Sequence, residues 1–241
     1  AATGYPMNDV QVHAPVDADT EVWGAGVTYE RSRDARVIES AVADVYTRVY
    51  EAQRPELFFK AVGRRVVTDG DPIHIRRDSV LNVPEPELVL VLNSAGQIVG
   101  HLVGNDVTSR SIEGENPLYL PQAKTYTGSC ALSAAIVPAW TIAAPERLGI
   151  TCSIQRDADS VWSASTSTAK MHRSFEDLVA ALFAELDFPR GVMLFTGAGV
   201  VPDMDITLEP DDVVRIEIES VGSLTNPVVR RSSQLPTSSH P

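Results

Sequence analysis

The chain has 241 residues, with 44% hydrophobic and 22% charged residues, which is typical of a globular protein with one large domain or two small ones. Its formal charge is -12 at pH 7. Nucleic-acid binders carry clustered Lys and Arg, and anionic membranes attract basic segments, so this charge argues against both kinds of partner.

The chain contains two cysteines, Cys130 and Cys152, and no C-x-x-C pair. The sequence therefore predicts neither a disulfide framework nor a zinc motif. No apolar run approaches the roughly 20 residues that span a bilayer, and the first ten residues lack the basic and then apolar pattern of a signal peptide. We expect a reduced, cytoplasmic protein.

The first third of the chain is predicted to hold short elements. Residues 1–20 are polar and irregular, and 21–27 (EVWGAGV) indicate a strand. Apolar positions recur at helical spacing over 37–52, which predicts a helix closed by Pro55. Residues 57–59 are a short apolar run typical of a buried strand.

The middle of the chain favours a β-hairpin. Residues 88–92 are a continuous β-rich run, 94–97 (SAGQ) are a turn, and 98–103 return as the partner strand. Residues 111–122 contain a glycine and two prolines, which predict a loop.

The last third of the chain is predicted to hold one helix and several strands. Ser174 with Asp177 resembles a capping box that opens a helix over 175–186. The resulting class is α+β with an excess of strands, as one domain over 21–228 followed by a disordered tail over 229–241. The strands are predicted at 192–195, 206–208 and 214–219.

Four charged residues are candidates for a functional site: Glu85, Glu87, Asp106 and Lys124. Glu85 and Glu87 share one face of an extended segment, and the hairpin brings Asp106 to the same end. Three carboxylates are hard ligands that suit Mg²⁺, with Mn²⁺ or Ca²⁺ as substitutes. The alternative is a solvated acidic stretch on an edge strand that Pro86 keeps unpaired, with Asp106 in a turn.

Several motifs resemble the fumarylacetoacetate hydrolase superfamily. These are PEPELVLVL at 84–92, GNDVTSR at 104–110, QAKTYTGSCALS at 122–133 and the closing stretch LFTGAGVVPD at 194–203. Members of this family hold Mg²⁺ by an E-x-E pair and a downstream Asp, with a Lys nearby. The resemblance covers 21–228 and implies a mixed β-sheet roll with flanking helices, as in the family's C-terminal domain, commonly in a homodimer or homotetramer.

One branch of the superfamily fits better than the others. Residues 111–122 and RPELFFKA at 54–61 resemble the 2-keto-3-deoxy-D-arabinonate dehydratases. The hydrolases generally place a histidine base on an N-terminal loop, whereas the stretch Tyr29–Arg36 contains arginines and no histidine. From the residues alone, Glu56 is a charge that follows Pro55; the resemblance makes it a candidate acid/base.

The resemblance implies a dehydratase that converts 2-dehydro-3-deoxy-D-arabinonate to 2,5-dioxopentanoate and water in pentose catabolism. The alternatives are a C–C hydrolase of acylpyruvate-like 1,3-diketo acids, a 2-keto acid decarboxylase, or a module that binds a sugar acid or metal without catalysis. The expected site consists of metal ligands Glu85, Glu87 and Asp106, catalytic residues Glu56 and Lys124, and substrate contacts Arg31, Gln122 and Thr196.

Overall fold

The structure of the chain is a computed structural model that describes residues 12–30 and 43–231. The helix predicted over 37–52 is described from residue 43 onward. Arg31 and the tail from residue 232 lie outside the described residues. Residues 12–20 contain neither helix nor strand.

The larger sheet carries the predicted hairpin at its centre. Its strand order is β2-β1-β12-β5-β6-β8, with β9 also paired to β6. The hairpin strands are antiparallel, and the first strand lies parallel to β12. The strands are β1 (Glu21–Gly26), β2 (Glu56–Val62), β5 (Pro86–Leu92), β6 (Ile98–Asp106), β8 (Cys130–Leu132), β9 (Val137–Pro138) and β12 (Val192–Phe195).

A second sheet of five strands packs on the first, in the order β11-β10-β13-β14-β3. A separate two-stranded ribbon pairs β4 with β7. Val229 and Arg230, which the sequence places in the tail, belong to β14 and pair with β3. The strands are β3 (Ile73–Ile75), β4 (Asn82–Val83), β7 (Thr108–Ser109), β10 (Gly149–Arg156), β11 (Asp159–Ser167), β13 (Val213–Ile218) and β14 (Gly222–Arg230).

The α-helices of the described residues are short: α1 (Ala43–Glu51), α2 (Arg110–Glu115), α3 (Leu120–Lys124) and α4 (Phe175–Leu182). The predicted start of α4 is confirmed, because the Ser174 hydroxyl accepts a hydrogen bond from the Asp177 amide at 3.0 Å. The helix ends before the predicted residue 186. The Phe183 ring packs edge-on against Phe188, with centroids 5.0 Å apart, and the chain turns back there.

Two predicted elements are wrong. Residues 111–122, expected as a loop, form α2, a 3-10 turn over Pro117–Tyr119 and α3. Each proline lies at a helix start, where its missing N–H has no intrahelical acceptor to lose. Residues 206–208 do not form the expected strand, since the Ile206 amide closes a turn onto the Asp203 carbonyl at 3.0 Å and the Asn82 amide donates to the Thr207 hydroxyl at 2.9 Å.

The hairpin is buried on both faces of the sheet. Leu88 and Leu90 belong to a core that includes side chains of both sheets, whereas Val89 and Val91 pack with Leu102 on the opposite face. A strand buried on both faces reads as a continuous apolar run, which is the pattern that predicted it. Among the described ranges, no helix combines the length and the apolar character needed to cross a membrane.

Candidate metal centre and active site

Three buried carboxylates converge at the open end of the hairpin. The register pairs Glu87 with Gly104, and the Asp106 amide donates to the Glu85 carbonyl at 3.0 Å. One oxygen from each of Glu85, Glu87 and Asp106 lies within 4.8 Å of the other two. The three residues are at most 3% exposed and β5 is an interior strand, so the alternative of a solvated acidic edge is wrong.

The three carboxylates fit a divalent cation. Burial and the charges of Asp106 and Glu85 raise the pKa of Glu87 well above its usual range, against the opposing effects of Lys124 and of the Gly197 amide. Such repulsion is relieved when a cation lies among the carboxylates. Oxygen ligands of Mg²⁺ lie about 2.0–2.1 Å from the ion, and hence roughly 3–4 Å from one another. The observed spread therefore requires only a small inward movement.

Lys124, the last residue of α3, lies beside these carboxylates. Its ammonium donates to Glu85 Oε2 at 2.8 Å, to Asp106 Oδ2 at 2.7 Å and to the Thr108 hydroxyl at 2.8 Å. The side chain is 1% exposed. The structure thus brings together the four charged residues that the sequence singled out.

Lys60 on β2 is a second buried ammonium that the sequence analysis missed. It forms an ion pair with Asp106 Oδ1 and donates to the carbonyls of Lys124 at 2.6 Å and Val107 at 3.1 Å. The sequence feature that could have pointed to Lys60 is the small number of lysines, since the chain has only three. The third, Lys170, is exposed. Two of the three lysines are therefore buried beside one aspartate.

Arg110 is the third buried cation of the cluster, and the sequence analysis assigned it no role although it closes the quoted motif GNDVTSR. Its guanidinium donates to Glu85 Oε1 from Nη2 at 2.9 Å and from Nε at 3.2 Å. Its Nε also lies 3.6 Å from the buried Glu113 carboxylate. Arg110 therefore fixes the Glu85 carboxylate from the side opposite Lys124.

The charges of this buried cluster do not balance among the described residues. Four carboxylates face three cations, which leaves one net negative charge when all are ionised. A divalent cation would change this to one positive charge, which matches a substrate with a single carboxylate. Isolated charge is costly to bury, so this balance favours a metal together with a monoanionic ligand. The members are Glu85, Glu87, Asp106, Glu113, Lys60, Lys124 and Arg110.

Glu56 is the first residue of β2 and is half-buried. Alternate residues of a strand share a face, so Glu56 lies on the face of β2 that carries Phe58, before the register shift at Lys60. Its carboxylate lies over Gly26 of β1, where an added Cβ would fall 2.0 Å from Glu56 Oε2. The structure thus places Glu56 on the same face of β2 as Phe58, whose ring lies 5.3 Å from Lys124 Nζ; its acid/base role stays a prediction.

The three predicted substrate contacts have different positions. Thr196 is buried, and its hydroxyl donates to the Leu88 carbonyl at 2.8 Å, next to the bond from the Gly197 amide to Glu87. Gln122 is exposed on α3, and its backbone carbonyl accepts from Arg76 at 3.0 Å. Among the described residues, no hydrogen bond joins the Gln122 side chain to the three carboxylates. Arg31 lies outside the described residues.

Residues 22–229 match the family described as Fumarylacetoacetate (FAA) hydrolase C-terminal, and the chain belongs to this family. The family and the strand-rich fold predicted from the sequence are confirmed.

Two curated relatives are dehydratases by name. A probable 2-keto-3-deoxyxylonate dehydratase of Haloferax volcanii is 46% identical over 91% of this chain and 75% of its own length. A 2-dehydro-3-deoxy-D-arabinonate dehydratase of Saccharolobus solfataricus is 41% identical over 94% of this chain and 77% of its own length. The chain is also similar to a solved structure of 2-keto-3-deoxy-D-arabinonate dehydratase complexed with magnesium and 2,5-dioxopentanoate. The two are 38% identical with a TM-score of 0.85, and the match covers 94% of this chain and 78% of that one.

Proposed function

We propose that the chain is a magnesium-dependent dehydratase that converts a 2-keto-3-deoxy pentonate, 2-dehydro-3-deoxy-D-arabinonate, to 2,5-dioxopentanoate and water in pentose catabolism. The observation that carries this proposal is the buried cluster of three carboxylates and Lys124, in a chain 41% and 46% identical to dehydratases. Glu85, Glu87 and Asp106 would hold the metal.

When bound, Mg²⁺ supplies Lewis acidity to the carboxylate and 2-keto oxygens of the substrate, which acidifies the C3 protons. The reaction removes one proton from C3 and the hydroxyl from C4, which together leave as water. In the resulting 3-ene, one hydrogen then moves from C5 to C3, and the C5 enol passes its hydroxyl proton to C4, which generates the aldehyde of the product. The chain must therefore hold positive charge near the keto oxygen and deliver a proton at C4.

Lys124 and Glu56 are assigned to these two tasks. The Lys124 ammonium is already held in place by Glu85, Asp106 and Thr108, so it can stabilise the negative charge that develops when C3 loses a proton. Alternatively, Lys124 in its neutral amine form would accept that proton as the base. The Glu56 carboxyl would protonate the leaving C4 hydroxyl. Its place at the half-buried end of β2 is compatible with a proton donor that exchanges with solvent.

Substrate recognition is assigned to Arg31, Gln122 and Thr196. The planar guanidinium of Arg31 suits a carboxylate or vicinal hydroxyls. Thr196 is near the metal ligands, since the next residue, Gly197, donates to Glu87. Gln122 is two residues before Lys124 on α3 and would have to turn inward to reach the substrate.

The test is turnover of 2-keto-3-deoxy-arabinonate with Mg²⁺, in which the semialdehyde is followed through a coupled dehydrogenase. We expect turnover to stop with EDTA and to return with excess Mg²⁺. Glu56→Gln should lower kcat by about 10²–10⁴ while Mg²⁺ affinity is kept. Full activity of Glu56→Gln would reassign the proton donor, and full activity in EDTA would refute the metal assignment.

The same preparation separates the alternatives. Release of pyruvate from an acylpyruvate, without dehydration of the sugar acid, would replace this proposal by the hydrolase. Tight binding of the sugar acid without turnover of any 2-keto acid would replace it by a binding module. Stereoisomeric keto-deoxy acids in parallel assays would identify the preferred pentonate.

We further propose that the protein forms a homodimer or homotetramer in the cytoplasm. Exposed apolar side chains near the β6–β9 edge support association, since Trp140 is 83%, Ile136 39% and Val99 38% exposed. The buried, free thiols of Cys130 and Cys152 suit a reducing compartment. Sedimentation of the purified protein would report the number of subunits; a monomer at all concentrations would refute association.

A further inference from the structure

The ring of Phe58 lies against the ammonium of Lys124. The Nζ atom is 5.3 Å from the ring centroid, within the distance at which a cation interacts with an aromatic face. Phe58 is half-buried, whereas Lys124 is 1% exposed. Phe58 is thus a partly solvent-facing side chain that covers a buried charge.

The backbone of β1 is adapted to this ring. Gly24 pairs with Phe58 across the β1–β2 ladder, and a Cβ at Gly24 would lie 2.5 Å from the ring atom Cζ. Only a residue without a side chain leaves the ring its observed position. The same two strands pair Trp23 with Phe59, whose rings pack at 5.9 Å as a separate contact.

The Phe58 ring adds to the three hydrogen bonds that already orient the Lys124 ammonium. Glu85, Asp106 and Thr108 receive the ammonium hydrogens, and the ring of Phe58 adds a further contact to Nζ. An aliphatic side chain in the same place would fill space but offer no electron-rich face. The ring therefore contributes both attraction for the charge and a barrier to water.

We propose that Phe58 is a positioning residue that holds the Lys124 ammonium against Glu85 and Asp106 and excludes water from it, with Gly24 giving the ring its place. The role in turnover rests on the proposed dehydratase function. The role in shielding Lys124 does not, because it can be measured without substrate.

The test uses reductive methylation of the metal-free protein, read lysine by lysine by peptide mass spectrometry. The chain has three lysines, and exposed Lys170 is an internal reference. We expect Lys124 to react faster in Phe58→Leu and in Gly24→Ala, relative to Lys170, and to react at the native rate in Phe58→Tyr, which keeps the aromatic face. The control is Phe59→Leu, which disturbs the same strand through Trp23 and should leave the Lys124 rate unchanged.

Turnover provides the second measurement. At saturating Mg²⁺ we expect Phe58→Leu to lower kcat by about tenfold with little change in KM, and Phe58→Tyr to restore most of it. Native rates of both methylation and turnover in Phe58→Leu would overturn the proposal. So would equal acceleration of Lys124 methylation in Phe58→Leu and Phe59→Leu, since that result indicates general loosening. If the native protein does not dehydrate the sugar acid, the dehydratase function fails and methylation alone decides the role of Phe58.

Discussion

Replacement of Glu87 by glutamine separates the metal site from the fold. The glutamine side chain has nearly the same shape, and its amide oxygen can still accept the hydrogen bond that the Gly197 amide gives to Glu87. What is lost is one of three converging negative charges. The Glu87→Gln protein should therefore fold but bind Mg²⁺ far more weakly.

The size of the effect follows from linkage. A ligand that binds only the folded protein at about 100 times its Kd adds about 2.7 kcal/mol of stability. For a domain of roughly 150–250 residues, each kcal/mol moves the Tm by about 2–4 °C. Mg²⁺ should thus raise the Tm of the native protein by roughly 5–11 °C, and this increase should vanish in Glu87→Gln.

Without metal, the Glu87→Gln protein should be at least as stable as the native protein. Burial and the neighbouring carboxylates raise the pKa of Glu87, so its ionised form destabilises the metal-free fold, and the neutral amide should be at least as stable. Thermal unfolding followed by circular dichroism, in EDTA and in Mg²⁺, measures both effects. The matched control is Glu217→Gln, at an exposed position on β13 paired with Arg215, which should keep the full increase. A Mg²⁺-induced rise of native size in Glu87→Gln would refute the assignment of Glu87 as a ligand.

Three further substitutions test the fold around the site. Ser174→Ala removes the cap of α4 and should cost about 1 kcal/mol, which is a fall of about 2–4 °C in Tm with no effect on Mg²⁺ affinity measured by calorimetry. Gly104→Ala places a Cβ 2.3 Å from Phe195 Cε1 and should cost about 1–3 kcal/mol in urea unfolding; it should also weaken Mg²⁺ binding, because Gly104 pairs with Glu87. Leu90→Ala opens a cavity in the core and should lower the free energy of unfolding by about 2–5 kcal/mol. A decrease below about 1 kcal/mol would mean that the surrounding side chains move in and fill the cavity.

The predictable parts of the site are those built from neighbouring strands. Residues 88–92 and 98–103 form a hairpin with a short turn, so its register follows from local pattern, and it brings Glu87 and Asp106 together. The α4 start was predictable for the same reason, because a cap is a contact between residues three positions apart.

The missed parts depend on pairing over long distances. Lys60 reaches Asp106 only because β2 pairs with β1, which in turn pairs with β12, and no local pattern specifies this order. The helical turns within 110–124 escape prediction because Pro117 and Pro121 indicate breaks, although both prolines occupy positions where a helix begins. Alternation from Glu56 gives Phe58 as its companion on one face of β2, but the register shift that leaves Lys60 unpaired has no local signal.

The parallel pairing of β1 with β12 also has a consequence for synthesis. Glu21 pairs with Val192, about 170 positions later in the chain. At about 5–20 residues per second, a ribosome takes roughly 10–30 seconds to make that interval. During this time the nascent β1 can pair with its antiparallel neighbour β2, but its parallel neighbour β12 has not yet been made. The unpaired edge of β1 is then available to chaperones or to other nascent chains. Translation that stalls before residue 192 should leave a fragment that aggregates.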